Sequence, residues 1–459
     1  MICGKLLIIA SGIVFYIYAG IESFIVLCVS VVLNLLISIA ITRTDKRKRL
    51  LLGVVVFFNI ALLLYYKYSN FTITTINNLL RSDYETREIL LPLGISFFTF
   101  QQIMYVVSVY RGEIEEISII DYLAYVFFFP KLIMGPLAEA KDFIQQLNDS
   151  SLKKLQWGNL AGGIKLFSFG LFKKMLLADT FAKGVAWGFS NLNIATAGDL
   201  FLVMLFYTFE IYFDFSGYSD MAVGISQMIN ITLPMNFDSP YKALSIRDFW
   251  KRWHMSLTGF LTKYVYFPLG GSKKGKARTY INILIVFLIS GIWHGANWTF
   301  ILWGCIHGVL QIGERIVSSR DSKEDQLQNS AARWLLIFFT INILWLLFRS
   351  ESIEQWGQLL GKMFSFQNMS VSDGLIQSFI LPESTFIIEK LGLIEINKTV
   401  RGLSMLSFII AAFVICLVPE NNYRNKNKFG VVSMVFGAAA FVWAFLCLSS
   451  ESVFVYFNF

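Results

Sequence analysis

The sequence is short of charge. Lys, Arg, Asp and Glu make up 15% of its 459 residues, against 56% hydrophobic and 16% aromatic residues, far from the balance of a soluble globular domain. That shortage excludes a soluble enzyme and makes the chain a polytopic membrane protein. Cysteine is scarce and unpatterned: Cys3, Cys28, Cys305, Cys416 and Cys447 lie in or beside apolar segments with no C-x-x-C, so they read as small core residues without disulfides or metal. Histidine is rarer still. His254, His294 and His307 are the whole set, and their wide spacing does not match the short intervals of a zinc site. The chain also lacks G-x-S-x-G, Walker A and G-x-G-x-x-G motifs in a strand-to-helix context, which removes the common hydrolase, nucleotide-triphosphatase and dinucleotide-binding readings. There is no internal repeat, low-complexity linker or soluble segment large enough to fold alone, so one membrane domain over residues 1–459 is expected.

What is present is a series of apolar runs. A spanning helix needs about 20 mostly apolar residues, and roughly ten to twelve segments approach that length once short, broken pieces are counted. They lie near residues 5–19, 21–42, 50–66, 89–110, 121–136, 160–178, 197–217, 279–296, 298–313, 333–348, 403–418 and 430–448. The short ones must pack on protein or line a cavity to satisfy their backbone. The first apolar run resembles a signal peptide, but a second follows at once and leads into TRTDKRKR, a stop-transfer pattern, so retention is expected. The cluster Arg43 to Arg49 is the densest basic loop and is placed in the cytoplasm by the positive-inside rule. The net charge of +8 is therefore a topology signal. No basic stripe interleaved with aromatics points to nucleic acid.

Polar residues within apolar surroundings gather between Tyr207 and His307, where chemistry should be sought. In YTFEIYFDFSGYSDMAVGIS, Glu210 and Asp214 share a helix face and Asp220 follows Gly217. A carboxylate inside a membrane needs a cation, a backbone partner or water. Pairing with Arg247, Lys251 or Arg252 is the structural reading; orienting a catalytic histidine or lining the acceptor path is the functional one. In ALSIRDFWKRWHMSLTGFLTKYVYFPLGG, Ser245 and Asp248 resemble a capping box. Apolar residues then recur at spacings of three and four to Tyr264, which predicts an amphipathic helix stopped by Pro268 and Gly270-Gly271. Its basic residues and tryptophans, Trp253 among them, suit a membrane surface. His254 sits near the boundary of the two faces and has a structural and a catalytic reading.

The stretch SGIWHGANW puts His294 between Gly291 and Gly295, with Trp293, Asn297 and Trp298 beside it, inside a long apolar run. A neutral imidazole is tolerable there and an imidazolium costly. A base that stays neutral near pH 7 suits removal of a hydroxyl proton. The glycines allow close approach of backbone or substrate and are expected to break the helix at the histidine. On one unbroken helix His294 and His307 would lie about 20 Å apart, so they act together only if the chain turns back, and a packing or hydrogen-bonding role is favoured for His307.

Six stretches in order, LPLGISFFTFQQ, FFFPKLIMGP, FDFSGYSDMAVG, FWKRWHMSL, YVYFPLGG and SGIWHGANW, resemble the membrane-bound O-acyltransferase family, most of all its bacterial alginate O-acetylation branch. The ending VFVYFNF is similar as well. The resemblance implies an all-α bundle of tilted and broken helices around a funnel or tunnel, in a bacterial cytoplasmic membrane. The family's essential histidine maps onto His294 and the histidine of its R-W-H element onto His254, with Asp214, Asp220, Trp253, Trp293, Asn297 and His307 in support. It implies an acetyl group taken from cytoplasmic acetyl-CoA, or an acyl group from a carrier protein, and delivered to an extracytoplasmic polysaccharide hydroxyl, often with a separate extracytoplasmic acetyltransferase. No permanently bound cofactor is implied. Lys251, Arg252, Lys273, Lys274 and Lys276 are candidates for the CoA phosphates, although positive-inside topology explains them equally well.

The sequence departs from the branch in GPLAEAKDF, where Glu139 stands and no arginine lies between Pro136 and Lys141, and in Leu261-Thr262-Lys263-Tyr264, where relatives read L-R-D-Y. Both changes bear on donor and acceptor identity. The teichoic acid D-alanylation proteins share the R-W-H and W-H-G elements, while FQQ and P-L-G-G favour acetyl over D-alanyl transfer. A transporter and a non-catalytic scaffold of a secretion complex are the readings from other classes.

Overall fold

The computed structural model describes residues 2–318, 330–381, 390 and 398–449. Among them no strand occurs, and the chain is an all-helical, multi-pass membrane protein. The ending VFVYFNF lies outside the described residues. Among the described residues, eight helices are long and apolar enough to cross a bilayer: α1 (Ile2–Ala19), α2 (Ile21–Thr42), α3 (Lys48–Leu80), α10 (Ala197–Met228), α13 (Lys276–His294), α14 (Trp298–Ser318), α15 (Ser330–Arg349) and α18 (Lys398–Leu417). Two shorter apolar helices, α4 (Ile95–Tyr110) and α19 (Val431–Leu446), join them. The segment expected near 121–136 is no span. It divides into α5 (Ile119–Val126) and the single turn α6 (Phe129–Leu132), with Pro130 in the first turn of α6, where a missing N–H costs nothing.

The chain forms two compact units, Met1–Phe167 with Met221–Pro234, and Ser168–Asp220 with Met235–Phe459. In the first, α2 and α3 are joined by a reciprocal amide pair. Asn59 donates to Asn34 at 2.8 Å and Asn34 to Asn59 at 3.2 Å, and each amide also donates at 2.8 Å to a carbonyl one turn earlier. Such paired amides are the polar contacts that hold apolar helices together. At the start of α1, Lys5 forms an ion pair with Asp121 of α5 and donates to Asn148 at 2.8 Å, closing the end of α7 (Ala140–Asn148).

The second unit is built around the α13–α14 hairpin. Gly291 and Gly304 face each other across it: a Cβ on Gly291 would overlap the Phe300 carbonyl, and one on Gly304 the Phe287 carbonyl. Small residues at these positions let the two backbones touch. The last residues of α8 (Trp157–Phe172), from Ser168 on, belong to this unit and continue into a wide π-helical turn, Lys173–Ala178, that leads into α9 (Asp179–Ser190). Gly217 of α10 packs on this turn, where a Cβ would meet the Gly170 carbonyl at 2.8 Å and Lys173 Cβ at 3.2 Å.

Candidate active site

His294 is the last residue of α13, and Gly295 continues in extended backbone, so the helix stops where the flanking glycines predict. The chain then turns back into α14. That return brings His294, 5% exposed, against helix α14 and the end of α15. Its imidazole meets the edge or face of Trp303 at 5.3 Å, Phe348 at 5.1 Å and its neighbour Trp293 at 5.0 Å. Trp303 also lies 4.7 Å from His307, and Trp293 lies 6.1 Å from His254. The three imidazoles are thus interleaved by two indoles. His307 is therefore part of the same cluster as His294 despite its place on the next helix. Its Nδ1 accepts from Trp250 Nε1 at 3.2 Å, which leaves its proton on Nε2.

The amphipathic helix expected from Ser245 to Tyr264 is not continuous. Ser245 caps it, accepting from the Asp248 amide at 3.0 Å, but α11 (Ile246–Arg252) ends before His254 and α12 (Met255–Leu261) begins after it. His254 itself has φ +43°, in the left-handed region, a conformation that costs an L-residue roughly 1–2 kcal/mol. Asn236, which has no periodicity to mark it in sequence, receives this break. Its side-chain oxygen lies 3.2 Å from His254 Nδ1 and accepts from Ser256 Oγ at 2.7 Å, while its backbone carbonyl accepts from the Met255 amide at 2.9 Å. An acceptor at Nδ1 places the proton there and makes Nε2 the basic nitrogen. His254 is fully buried and stacks edge-on to Phe215 at 4.7 Å; burial pushes its pKa down to about 3, so it is neutral at physiological pH.

The acids of FDFSGYSD take different partners from those expected. Asp214 pairs with Lys174 at 2.7 Å and Asp220 with Lys173 at 2.7 Å; Lys174 also pairs with Asp179 at 2.8 Å. Both cations come from the π-helical turn, not from Arg247, Lys251 or Arg252. Two adjacent lysines in the apolar run FGLFKKMLLAD were the available signal. The Asp220 carboxylate receives a further bond from Asn422 at 3.3 Å. Arg252 pairs instead with Asp248, one turn earlier, at 2.9 Å. Trp253 is buried among aromatic rings, 4.7 Å from Trp345 and 5.0 Å from Phe237. Asn297 closes the turn after His294: its amide donates to the Glu351 carbonyl at 2.7 Å and its oxygen accepts from the Thr299 amide at 3.1 Å.

A cavity of about 370 Å³ lies in the second unit, and its lining includes the exposed Arg247 and Arg315, the half-buried Gln311 and Thr258, and the buried Trp250 and Ser290. Ser290 stands one helical turn before His294. Lys251, Arg252, Lys273 and Lys274 do not line it. Among the described residues no group of three or more His, Cys, Asp or Glu side chains is placed to hold a metal ion. The arrangement offers three imidazoles in an aromatic enclosure, suited to moving a proton with little solvent competition.

A profile of the membrane-bound O-acyltransferase family matches residues 14–353, an interval that contains all six ordered motifs. The chain belongs to that family. It is 34% identical to a peptidoglycan O-acetyltransferase of Helicobacter pylori over 99% of this chain and 91% of that protein. It is 37% identical to a probable alginate O-acetylase of Azotobacter vinelandii over 80% of this chain and 74% of the relative. Similarity to a teichoic acid D-alanyltransferase of Streptococcus thermophilus is lower, 27% identity over 57% of this chain and 68% of that protein. This membrane-bound O-acyltransferase is thus an enzyme of acyl transfer.

Proposed function

We propose that the protein is an O-acetyltransferase of a bacterial cytoplasmic membrane, taking acetyl groups from cytoplasmic acetyl-CoA and delivering them to hydroxyls of an extracytoplasmic polysaccharide such as peptidoglycan or an alginate-like polymer. The observation that carries this reading is the burial of His294 among Trp293, Trp303 and Phe348 at the turn of the α13–α14 hairpin. In the proposed step, His294 takes the proton of the acceptor hydroxyl while its oxygen attacks the thioester carbonyl. The tetrahedral intermediate then expels the CoA thiolate, which receives that proton, leaving an ester and free thiol. His254, with its basic Nε2 set by Asn236, is assigned to orienting the donor. The Arg247 and Arg315 cavity supports a donor site, because two exposed guanidiniums in its lining suit phosphates and Ser290, also in the lining, stands one helical turn before His294. The opposite end of the hairpin from the His294 turn carries Lys273, Lys274 and Lys276, the arrangement expected of a cytoplasmic face. Passage of the acetyl group between the two sides through a membrane tunnel, and completion of transfer by an extracytoplasmic partner acetyltransferase, belong to the same proposal. The stronger and longer similarity to the O-acetylating relatives favours acetyl over D-alanyl transfer.

The test is acetyl transfer from labelled acetyl-CoA by the purified protein in proteoliposomes, with thiol release as readout and muropeptides or polymannuronate as acceptors. A His294→Ala variant that folds normally and still releases thiol and ester at the wild-type rate overturns the assignment.

A further inference from the structure

The first unit holds a cavity that the acyl-transfer chemistry does not use. It has a volume of about 810 Å³ and lies at the start of α1. Its polar lining is cationic: Lys5, Lys153 and Lys154 against Asp149. Lys5 is already engaged by Asp121 and Asn148, and Asp149 is turned to the Ser151 amide at 2.8 Å, with Lys153 near it. Lys153 and Lys154 are exposed. The loop that carries these two lysines is held in place, because Asn230 donates to the carbonyls of Leu152 at 2.7 Å and Lys154 at 2.9 Å and accepts from Asn159 at 3.0 Å. The apolar lining comprises the exposed Leu7 together with the more buried Ile8, Phe128 and Phe129.

Beside the cavity lies a second hollow, almost wholly apolar, with which it shares the lining residues Leu7, Ser11 and Phe129. That hollow continues along α1 through Val14 and Tyr18. Residues 4, 7, 11, 14 and 18 fall on one helix face, and the stripe is about 21 Å long. A leaflet's hydrocarbon layer is roughly 15 Å deep, so the groove is long enough for an acyl chain. Its cationic end is at headgroup depth by an independent mark: next to the lysines, Leu155 and Trp157 are 60% and 72% exposed, and an exposed tryptophan beside basic residues is typical of the membrane interface. Because α1 and α2 each cross the membrane, this end lies on the same side as Arg43 to Arg49, the cytoplasmic side by the positive-inside rule.

We propose that this groove is a binding site for an anionic glycerophospholipid of the cytoplasmic leaflet, with the phosphate held by Lys153 and Lys154 and one acyl chain laid along the Leu7, Ser11, Val14 and Tyr18 face of α1. Charge complementarity selects the headgroup and the apolar stripe selects an amphiphile over free phosphate. The site is independent of the acyl-transfer reaction.

Native mass spectrometry of the full-length protein, released from detergent with added dioleoyl phosphatidylglycerol or dioleoyl phosphatidylcholine, tests it. The wild type is expected to retain one phosphatidylglycerol in preference to phosphatidylcholine. A K153Q/K154Q variant is expected to bind phosphatidylglycerol about thirtyfold more weakly, the ratio that two interfacial lysines carry, and to lose the preference. Ser11→Trp, which fills the groove, is expected to lose both lipids while K153Q/K154Q keeps residual phosphatidylcholine. Equal retention of the two lipids by the wild type, or unchanged phosphatidylglycerol binding by K153Q/K154Q, overturns the proposal. Competition by inorganic phosphate that removes the bound lipid would likewise overturn it, since the site would then be an anion site without an acyl groove.

Discussion

The second unit contains two buried polar clusters held by opposite means. In the lysine and aspartate ladder, Lys174 lies between Asp214 and Asp179, and Lys173 is joined to Asp220, all at 2.7–2.8 Å. Each charge is met by a charge of the other sign. In the histidine cluster the neighbours are rings: Trp293, Trp303, Phe348, Phe215 and Trp250. Aromatic walls keep an imidazole neutral and fix its plane, so a ring nitrogen stays unprotonated, although the same burial weakens it as a base. A closed ion pair is a poor proton acceptor, because taking a proton would strand its partner in a low-dielectric interior. The ladder therefore holds α10 to the π-helical turn, and the cluster is where the proposed chemistry is placed. Single substitutions can break this division of labour.

The largest effect is expected at His294. Replacing it with Gln keeps a polar side chain of similar reach and removes the base, so acetyl transfer should fall by about 10²- to 10⁴-fold with little change in the melting temperature of the detergent-solubilised protein. Transfer at the wild-type rate would place the chemistry elsewhere. Next is Lys174→Met, which strands the buried Asp214 and the half-buried Asp179 and should destabilise the protein by about 3–5 kcal/mol. The double variant K174M/D214L, which removes the more buried acid as well, should recover much of that loss in a denaturant midpoint. If Lys174→Met instead retained stability and lost only turnover, the ladder would belong with the chemistry.

The sequence made the histidines legible and their surroundings less so. Gly291 and Gly295 announced the end of α13 at His294, because glycine at a helix terminus permits both close packing and an extended exit. Ser245 announced the start of α11 for an equally local reason. The break at His254 was hidden. Apolar spacings of three and four continue across it, and a periodicity measured over twenty residues is insensitive to one residue in the left-handed region. The ion pairs were hidden for a different reason. Asp214 and Asp220 had cations both upstream and downstream, and only the packing of Gly217 on the π-helical turn selects Lys173 and Lys174. His307 was set apart by helical rise alone, which no longer applies once the chain reverses at Gly295. Arg247 and Arg315, 68 residues apart in sequence, meet at one cavity through tertiary packing of α11 on α14.

The contact that joins His254 to Asn236 gives a smaller effect. Asn236→Leu removes the acceptor at Nδ1 and should cost about 1–3 kcal/mol of stability, while turnover falls more than affinity for acetyl-CoA, since His254 would lose its fixed tautomer. A KM change with kcat intact would make Asn236 a donor-binding residue instead. The smallest effect lies in the pH dependence of stability. Folded His254 titrates at about 3, whereas in the unfolded chain a histidine titrates near 6.5. As pH falls below that value the unfolded state takes up a proton that the folded state refuses, so stability present at higher pH is progressively lost between about 6.5 and 3. At pH 6.5 itself the loss is about 0.4 kcal/mol, because half of the unfolded chains then carry the proton. Asparagine tolerates the left-handed backbone at this position and does not titrate. His254→Asn should therefore flatten this part of the stability profile relative to wild type. Parallel profiles for the two proteins from pH 7.5 to 5.5 would mean that His254 gains its proton in the folded state as readily as in the unfolded one, and that the aromatic enclosure does not keep it neutral.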